Sequence, residues 1–383
     1  MERLGGRLKG VAFFGGGSGG HLYPGLAVAE RARERFPEFR ALFFRTARKV
    51  DERIFSGVPP SRNGPGIYTR TLELETPTSP RAWFRYSFQA VSAMREISVQ
   101  LKEGFDAVVG LGGYASLPGV LAARQEGLPV VLLEQNQIPG RVNRLLAPFV
   151  SAVSCPNPEV ASRLRGRGVV TGNPVRRSVL EAAMLRQRRS SFYGRKRRVL
   201  VFGGSQGAQG LNEALRGALN DLAGFRDTVF WNHVTGEDDQ PVMEEYYRQA
   251  GWDARVWSYC PGLPHLMADS DLVIARAGGT TVAELAVLGV PALLVPYPHH
   301  SDEHQLKNAR VLEREGGAVL VAQKDFGADA IRRVFEEVLF FPRKLRQMEA
   351  ACHRLARPDA ADAVLNLLLE LRKPCRQDSV YSS

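Results

Sequence analysis

Cysteine is scarce: four in 383 residues (Cys155, Cys260, Cys352, Cys375), none in a CxxC pair. That spacing excludes a disulfide framework and a zinc site built on paired thiolates. Long hydrophobic runs are missing too. No stretch approaches the roughly 20 apolar residues that a membrane span needs. The apolar run behind MERLGGRLKG is too short for a secretory signal, so the chain reads as cytoplasmic. Acidic residues are in deficit, 40 against 51 Lys plus Arg, giving a formal net charge of +11. That balance favours an anionic partner: nucleic acid, a phosphorylated small molecule or an anionic lipid surface. No nucleic-acid motif accompanies it. The densest basic run, Arg186 to Arg198, reads as a solvated connector.

What is present is alternation. Short apolar runs at 11–14, 41–44, 106–111, 129–134, 198–202, 228–231, 271–275 and 291–295 are separated by helical stretches. Runs apolar on both faces belong to parallel strands covered by helices, which predicts an α/β doubly wound fold. The length suggests roughly two to three domains. The chain also starts twice: RVLVFGGSQGAQGLNEALRGAL (198–219) repeats the plan of KGVAFFGGGSGGHLYPGLAVAERA (9–32). Each start opens its own Rossmann-like half, here 1–175 and 176–354, joined near Asn173-Pro174-Val175. A last helical stretch spans about 345–372, and from about 355 it packs back on the first domain. Ligands of such folds lie at the carboxyl ends of strands, which places them in the cleft between the halves.

The glycine loops fit an anion. Glycine allows close backbone approach, and a helix N-terminus presents bare N–H groups and partial positive charge. Gly15-x-Gly17-x-x-Gly20 matches the dinucleotide fingerprint, but the acidic residue expected after the second strand is replaced by Arg45-Thr46. An NADP-dependent oxidoreductase therefore survives as an alternative. Thr281-x-x-Glu284 has the capping-box pattern. The polar segment PYPHHSDEHQLKNA (296–309) has no recognised metal-ligand spacing and suits sugar hydroxyls as well.

GGGSGGHLYPGLAVA, GLGGYASLPGVLAA, LEQNQIPGRVNRLLA, TGNPVR, FGGSQGAQGLN, ARAGGTTVAELAVLGVPALLVPYPH and DEHQLKNA occur in this order. Together they resemble glycosyltransferase family 28, the peptidoglycan enzymes that move N-acetylglucosamine from its UDP donor onto an undecaprenyl-diphospho-muramoylpentapeptide. The resemblance spans about residues 10–370 and stops before the tail at Lys373. It implies a GT-B fold, two Rossmann-like domains facing a deep cleft, and inverting transfer to the 4-hydroxyl of lipid I, giving lipid II. It also implies work at the cytoplasmic face of the plasma membrane as a peripheral protein. The implied partners are UDP-N-acetylglucosamine, lipid I and an anionic membrane surface, with room for other cell-wall synthesis proteins and no nucleic acid. It requires no cofactor; Mg²⁺ is compatible with it but not implied.

Carried over residue by residue, the resemblance puts Ser18, Gly19 and Gly20 across the cleft from the donor, with Asn136 at a sugar. Arg176 and Ser205 meet the diphosphate, Cys260 presents backbone to the uracil, and Gly279, Thr280 and Thr281 lie under the phosphates. Glu284 takes the ribose, and Gln305, with Asn308 behind it, the sugar hydroxyls. Gly112, Gly113, Tyr114, Gln135 and Asn136 form the acceptor loops. Ser18 stands where Thr is usual in the family and keeps the hydroxyl; Cys260 replaces an aliphatic residue. Inversion by single displacement needs a base, and His21 is the candidate, with Glu134 the second. Metal ligands are not expected. Trp83, Phe84 and Phe88, with Arg81 and Arg85, suit a lipid interface, although a core-facing aromatic stripe fits the same composition. A related transferase acting on another lipid and a non-catalytic UDP-sugar-binding protein are the remaining alternatives.

Overall fold

Val11-Ala12-Phe13-Phe14 is buried on both faces, which only a strand sandwiched between helix layers achieves. In the computed structural model, which describes residues 7–56, 65–74, 77, 79–187, 195–204, 208–299 and 302–372, this run is β1 (Gly10–Phe14). It lies inside a parallel seven-stranded sheet of order β3-β2-β1-β4-β5-β6-β7. Its other strands are β2 (Arg40–Thr46), β3 (Gly66–Leu72), β4 (Ala107–Gly110), β5 (Val130–Leu133), β6 (Ala152–Cys155) and β7 (Gly168–Val170). The second sheet, also parallel, has the order β10-β9-β8-β11-β12-β13. It comprises β8 (Arg197–Phe202), β9 (Val229–Val234), β10 (Ala254–Trp257), β11 (Leu272–Ala275), β12 (Ala292–Leu294) and β13 (Ala318–Leu320).

The strand order reverses beside β1 in one sheet and beside β8 in the other, so each has a switch-point crevice at its carboxyl edge. The two glycine-rich starts feed these crevices. Phe13 stacks on Phe43 and Phe14 on Phe44, each at 4.4 Å between ring centroids. At roughly 1.5–3 kcal/mol per buried large side chain, such pairs anchor the floor beneath the first loop.

All eight apolar runs read from the sequence are strands. Five further strands were not foreseen: β3, β6, β7, β10 and β13. Four of these are sheet edges, where one side faces water and polar residues are tolerated. The last helical stretch is two helices, Pro342–Leu355 and Ala360–Leu371. Pro358 lies between them and cannot continue the ladder of the first. The second helix buries Val364, Leu365 and Leu368 in the core of the first sheet. Arg31, on helix α1 (Gly19–Arg35), grips Asp362 at 2.8 Å.

The basic run is not a free connector. Arg186 pairs with Glu349 at 2.7 Å, Arg195 with Asp271 at 2.8 Å and Lys196 with Asp253 at 3.2 Å, and Arg198 pairs with Asp269. Arg188 and Arg189 lie outside the described residues. These cations staple the second domain together.

Candidate active site

β1 ends at Phe14 and the chain turns through Gly15 and Gly17, at φ +154° and +84°, into α1. Ser18 is the N-cap, but its hydroxyl caps no backbone donor; it meets His21 Nδ1 at 3.2 Å. Ser18 thus attends the histidine. Burial lowers the His21 pKa below its usual 6.5, and the nearby Gly16 carbonyl and Asp51 carboxylate pull it partly back up. The ring is neutral at pH 7. Gly112 and Gly113, at φ +93° and +72°, wrap its other side. His21 and Gly113, together with Ser18, Thr46, Arg48, Tyr86 and Tyr114, line a cavity of about 500 Å³ on the first domain.

Glu134 is buried, and burial raises its pKa. Both of its oxygens are engaged: Oε1 accepts from Asn136 N at 3.0 Å, and Oε2 from Gly140 N at 2.8 Å and Asn143 Nδ2 at 2.9 Å. A carboxylate so occupied holds the 134–140 loop in shape. Gln135 turns its amide inward, toward the Leu111 carbonyl. Asn136 Oδ1 accepts from Asn308 Nδ2 at 3.0 Å, and Asn308 Oδ1 accepts from Gln137 N at 2.8 Å. Asn308 therefore bridges the two domains. Gly279 sits in the same seam, where an added Cβ would lie 2.2 Å from the Gln135 carbonyl oxygen, so only glycine permits the approach.

On the second domain, helix Gly279–Leu288 has Gly278 as N-cap and no side-chain capping bond, so the capping box is not formed. Thr280 Oγ1 instead donates across the cleft to the Gly20 carbonyl at 3.0 Å. Glu284 faces Arg176, whose Nη2 lies 2.8 Å away. Tyr23 lies under the same guanidinium at 3.7 Å. Glu303, at φ +50°, turns the chain into helix His304–Arg314, and Gln305 Oε1 accepts from Tyr297 N at 3.0 Å. Cys260 is half-buried just ahead of helix Leu263–Asp269, with its thiol pKa raised by burial. Ser205 lies outside the described residues. Among the described residues no three His, Cys, Asp or Glu side chains converge as a metal site.

On helix α3 (Pro80–Leu101) the aromatic set divides. Phe84 and Phe88 are 80% and 76% exposed and Trp83 is 45% exposed, alongside Arg81 and Arg85 at the surface. Tyr86 points inward and donates to the Tyr114 carbonyl at 2.6 Å. Sequence reasoning missed Asp51, Tyr23 and the bridging role of Asn308. None of the three left a signal that sets it apart in the sequence.

Two Rossmann-like lobes that meet through glycine loops at their switch points define a GT-B fold. The chain belongs to glycosyltransferase family 28: residues 11–155 match the family's N-terminal domain and 198–364 its C-terminal domain. It is 38% identical over 366 residues to the UDP-N-acetylglucosamine--N-acetylmuramyl-(pentapeptide) pyrophosphoryl-undecaprenol N-acetylglucosamine transferase of Anaeromyxobacter sp. (strain K), covering 93% of this chain and 91% of that one. The Stutzerimonas stutzeri protein of the same name is 37% identical over 370 residues, covering 94% and 98%. The crystal structure of Acinetobacter baumannii MurG superposes with a TM-score of 0.69 at 28% identity, over 94% of this chain and 99% of that one. UDP-GlcNAc 2-epimerase from Neisseria meningitidis has a TM-score of 0.64 at 14% identity, over 94% of this chain and 100% of that one, a likeness of fold alone.

Proposed function

We propose that the protein transfers N-acetylglucosamine from UDP-N-acetylglucosamine to the 4-hydroxyl of undecaprenyl-diphospho-muramoylpentapeptide, with inversion, yielding lipid II. The observation that carries this reading is the contact of Thr280 with Gly20. It brings the helix start that would face the donor phosphates within one hydrogen bond of the loop bearing His21. A neutral imidazole then stands at the mouth of the acceptor cavity, beside the donor.

In this reading His21 takes the proton from the acceptor hydroxyl as its oxygen attacks the anomeric carbon. The bond from that carbon to the phosphate oxygen breaks, and UDP leaves with the electron pair. Arg176 and the N-terminus of helix Gly279–Leu288 receive the charge; a preorganised donor of this kind is worth about 10²–10³ in rate. Glu284 accepts from the ribose hydroxyls, and Gln305 binds the sugar. Glu134 acts by shaping the loop that carries Asn136, since its oxygens already have donors. Gly112, Gly113 and Tyr114 line the acceptor side.

The acceptor is a lipid, and the described residues contain no helix long and apolar enough to cross a membrane. The exposed face of α3 supplies the contact, with Trp83, Phe84 and Phe88 entering the interface and Arg81 and Arg85 meeting anionic headgroups. The test is turnover with a lipid I analogue and UDP-N-acetylglucosamine, UDP-glucose or UDP-galactose. Transfer from the first alone is expected, and none to diacylglycerol. Equal rates with the three donors would sink the reading.

A further inference from the structure

Asp51 has no place in the assignments above, yet it is completely buried and heavily used. It sits in the first turn of helix α2 (Lys49–Phe55), just beyond β2. Its carboxylate accepts from Gly17 N at 2.8 Å (Oδ1) and 3.0 Å (Oδ2). Oδ2 also accepts from Thr46 N at 3.0 Å and Thr46 Oγ1 at 2.6 Å. One side chain therefore ties the end of β2 to the glycine loop. The loop has closed around it: an added Cβ on Gly16 would lie 2.3 Å from Asp51 Oδ2.

We propose that Asp51 is a positioning residue of the transfer reaction, its buried carboxylate locking the first glycine loop so that His21 is held at the acceptor cavity. This rests on the reading of His21 as the base. A buried carboxylate is costly unless its lone pairs are filled, and here Gly17 and Thr46 fill them. Loop and anion are thus fixed by each other. His21 follows the anchored Gly17 by four residues, and its Ser18 partner is the next residue in the chain.

The charge has a second effect. The groups that face His21 are Asp51 on α2, Arg48 just before that helix and His304 on the opposing domain. Asp51 favours the protonated ring; Arg48 and His304 oppose it. Burial has already lowered the His21 pKa, and Asp51 limits that fall. Removing the negative charge lowers the pKa further, so the acid limb of kcat/KM moves to lower pH. A role confined to loop stability would not move that limb.

The experiment compares Asp51→Asn, Gly16→Ala and His21→Ala in the full-length protein. It measures kcat/KM against pH with the lipid I analogue, and UDP affinity by calorimetry as a control on the second domain. Asp51→Asn is expected to lose about 10²-fold in kcat/KM, the usual cost of misplacing a catalytic group by about 1 Å. Its acid limb should shift to lower pH while UDP affinity stays within twofold. Gly16→Ala displaces the carboxylate without neutralising it, so kcat/KM should fall with a smaller shift of the limb. It also serves as the test if Asp51→Asn does not fold. Wild-type kcat/KM in either variant, or a loss in Asp51→Asn that is uniform across pH, overturns the proposal. Wild-type kcat in His21→Ala overturns the reading of the base and this proposal with it, an outcome distinct from a failure in the Asp51→Asn and Gly16→Ala variants alone.

Discussion

Arg176 and Glu284 hold each other. Nη2 lies 2.8 Å and Nε 3.2 Å from the same oxygen, Glu284 Oε1. Their side chains are only 11% and 5% exposed. In the proposed function these residues serve different parts of the donor, the diphosphate and the ribose. Donor binding must therefore exchange one partner for two: phosphate oxygens for the guanidinium and hydroxyls for the carboxylate. Only a ligand carrying both groups at the right spacing compensates both halves of a buried pair, which costs several kcal/mol to break one-sidedly.

That exchange has a testable asymmetry. In Glu284→Gln the guanidinium loses the carboxylate hydrogen-bonded to it and keeps only the weaker pull of Glu30. Inorganic pyrophosphate, which offers phosphate without ribose, should bind more tightly by roughly tenfold or more, at the low end of what close charge pairs contribute. UDP should gain less, because it loses its carboxylate partner at the ribose. Isothermal titration of both ligands against both proteins reads the difference. Unchanged pyrophosphate affinity would show that the pair does not restrain Arg176.

His21→Ala should lower kcat by about 10²–10⁴, the range for loss of a general base, and leave UDP affinity intact. The pH dependence follows from the direction of its pKa, which burial moves below 6.5. The working form is neutral, so activity is retained as pH falls to 6.5 and is lost only at more acidic values, as the ring takes a proton. An acid limb centred above 6.5 in kcat/KM would contradict the burial seen around the ring.

Much of this architecture was legible because it depends on features local in the sequence. β1, β4, β8 and β11 are apolar on both faces and announce themselves; the glycine loops mark the switch points beside them. The edge strands β3 and β10 were not legible, since Thr69-Arg70-Thr71 in one and Arg255 in the other fit a half-wet strand and a loop equally. In the candidate site, motif order pointed to Arg176, Thr280 and Glu284 but not to their pairings. On its pattern alone Glu284 looked more like a helix cap than a ligand group, and only the fold brings Arg176, 108 residues away, onto it. Asp51 was hidden for a similar reason. Its partner Gly17 is 34 residues distant, and nothing in KVDERIF separates a buried clamp from a solvated first-turn acid.

The face of α3 makes a separate prediction. Phe84, Phe88 and Val91 share one exposed side of the helix, at the spacing of one and two turns. Replacing Phe84 and Phe88 together by Ser should abolish flotation with vesicles containing anionic lipid and raise KM for a long-chain acceptor. Activity on a short-chain, water-soluble acceptor should persist. Salt should weaken the wild-type binding, because Arg81 and Arg85 act through screened charge. Vesicle binding that survives the double substitution would move the contact elsewhere.

Stability should carry its own pH signature, set by a histidine remote from the reaction. His233 is completely buried in the second domain, hydrogen-bonded to Asn212 Oδ1 at 3.0 Å and to the Tyr247 hydroxyl at 3.2 Å. Burial lowers its pKa from 6.5 to about 3. Between those values the unfolded chain binds the proton and the folded chain does not, so stability falls as pH drops below 6.5. The loss from this one group between pH 7 and pH 5 is on the order of 2 kcal/mol. Urea melts at the two pH values should show it. His233→Gln keeps a polar side chain and removes the titration, so it should lower stability at pH 7 but flatten the difference between the two melts. An equal pH difference in that variant would assign the acid sensitivity to other groups.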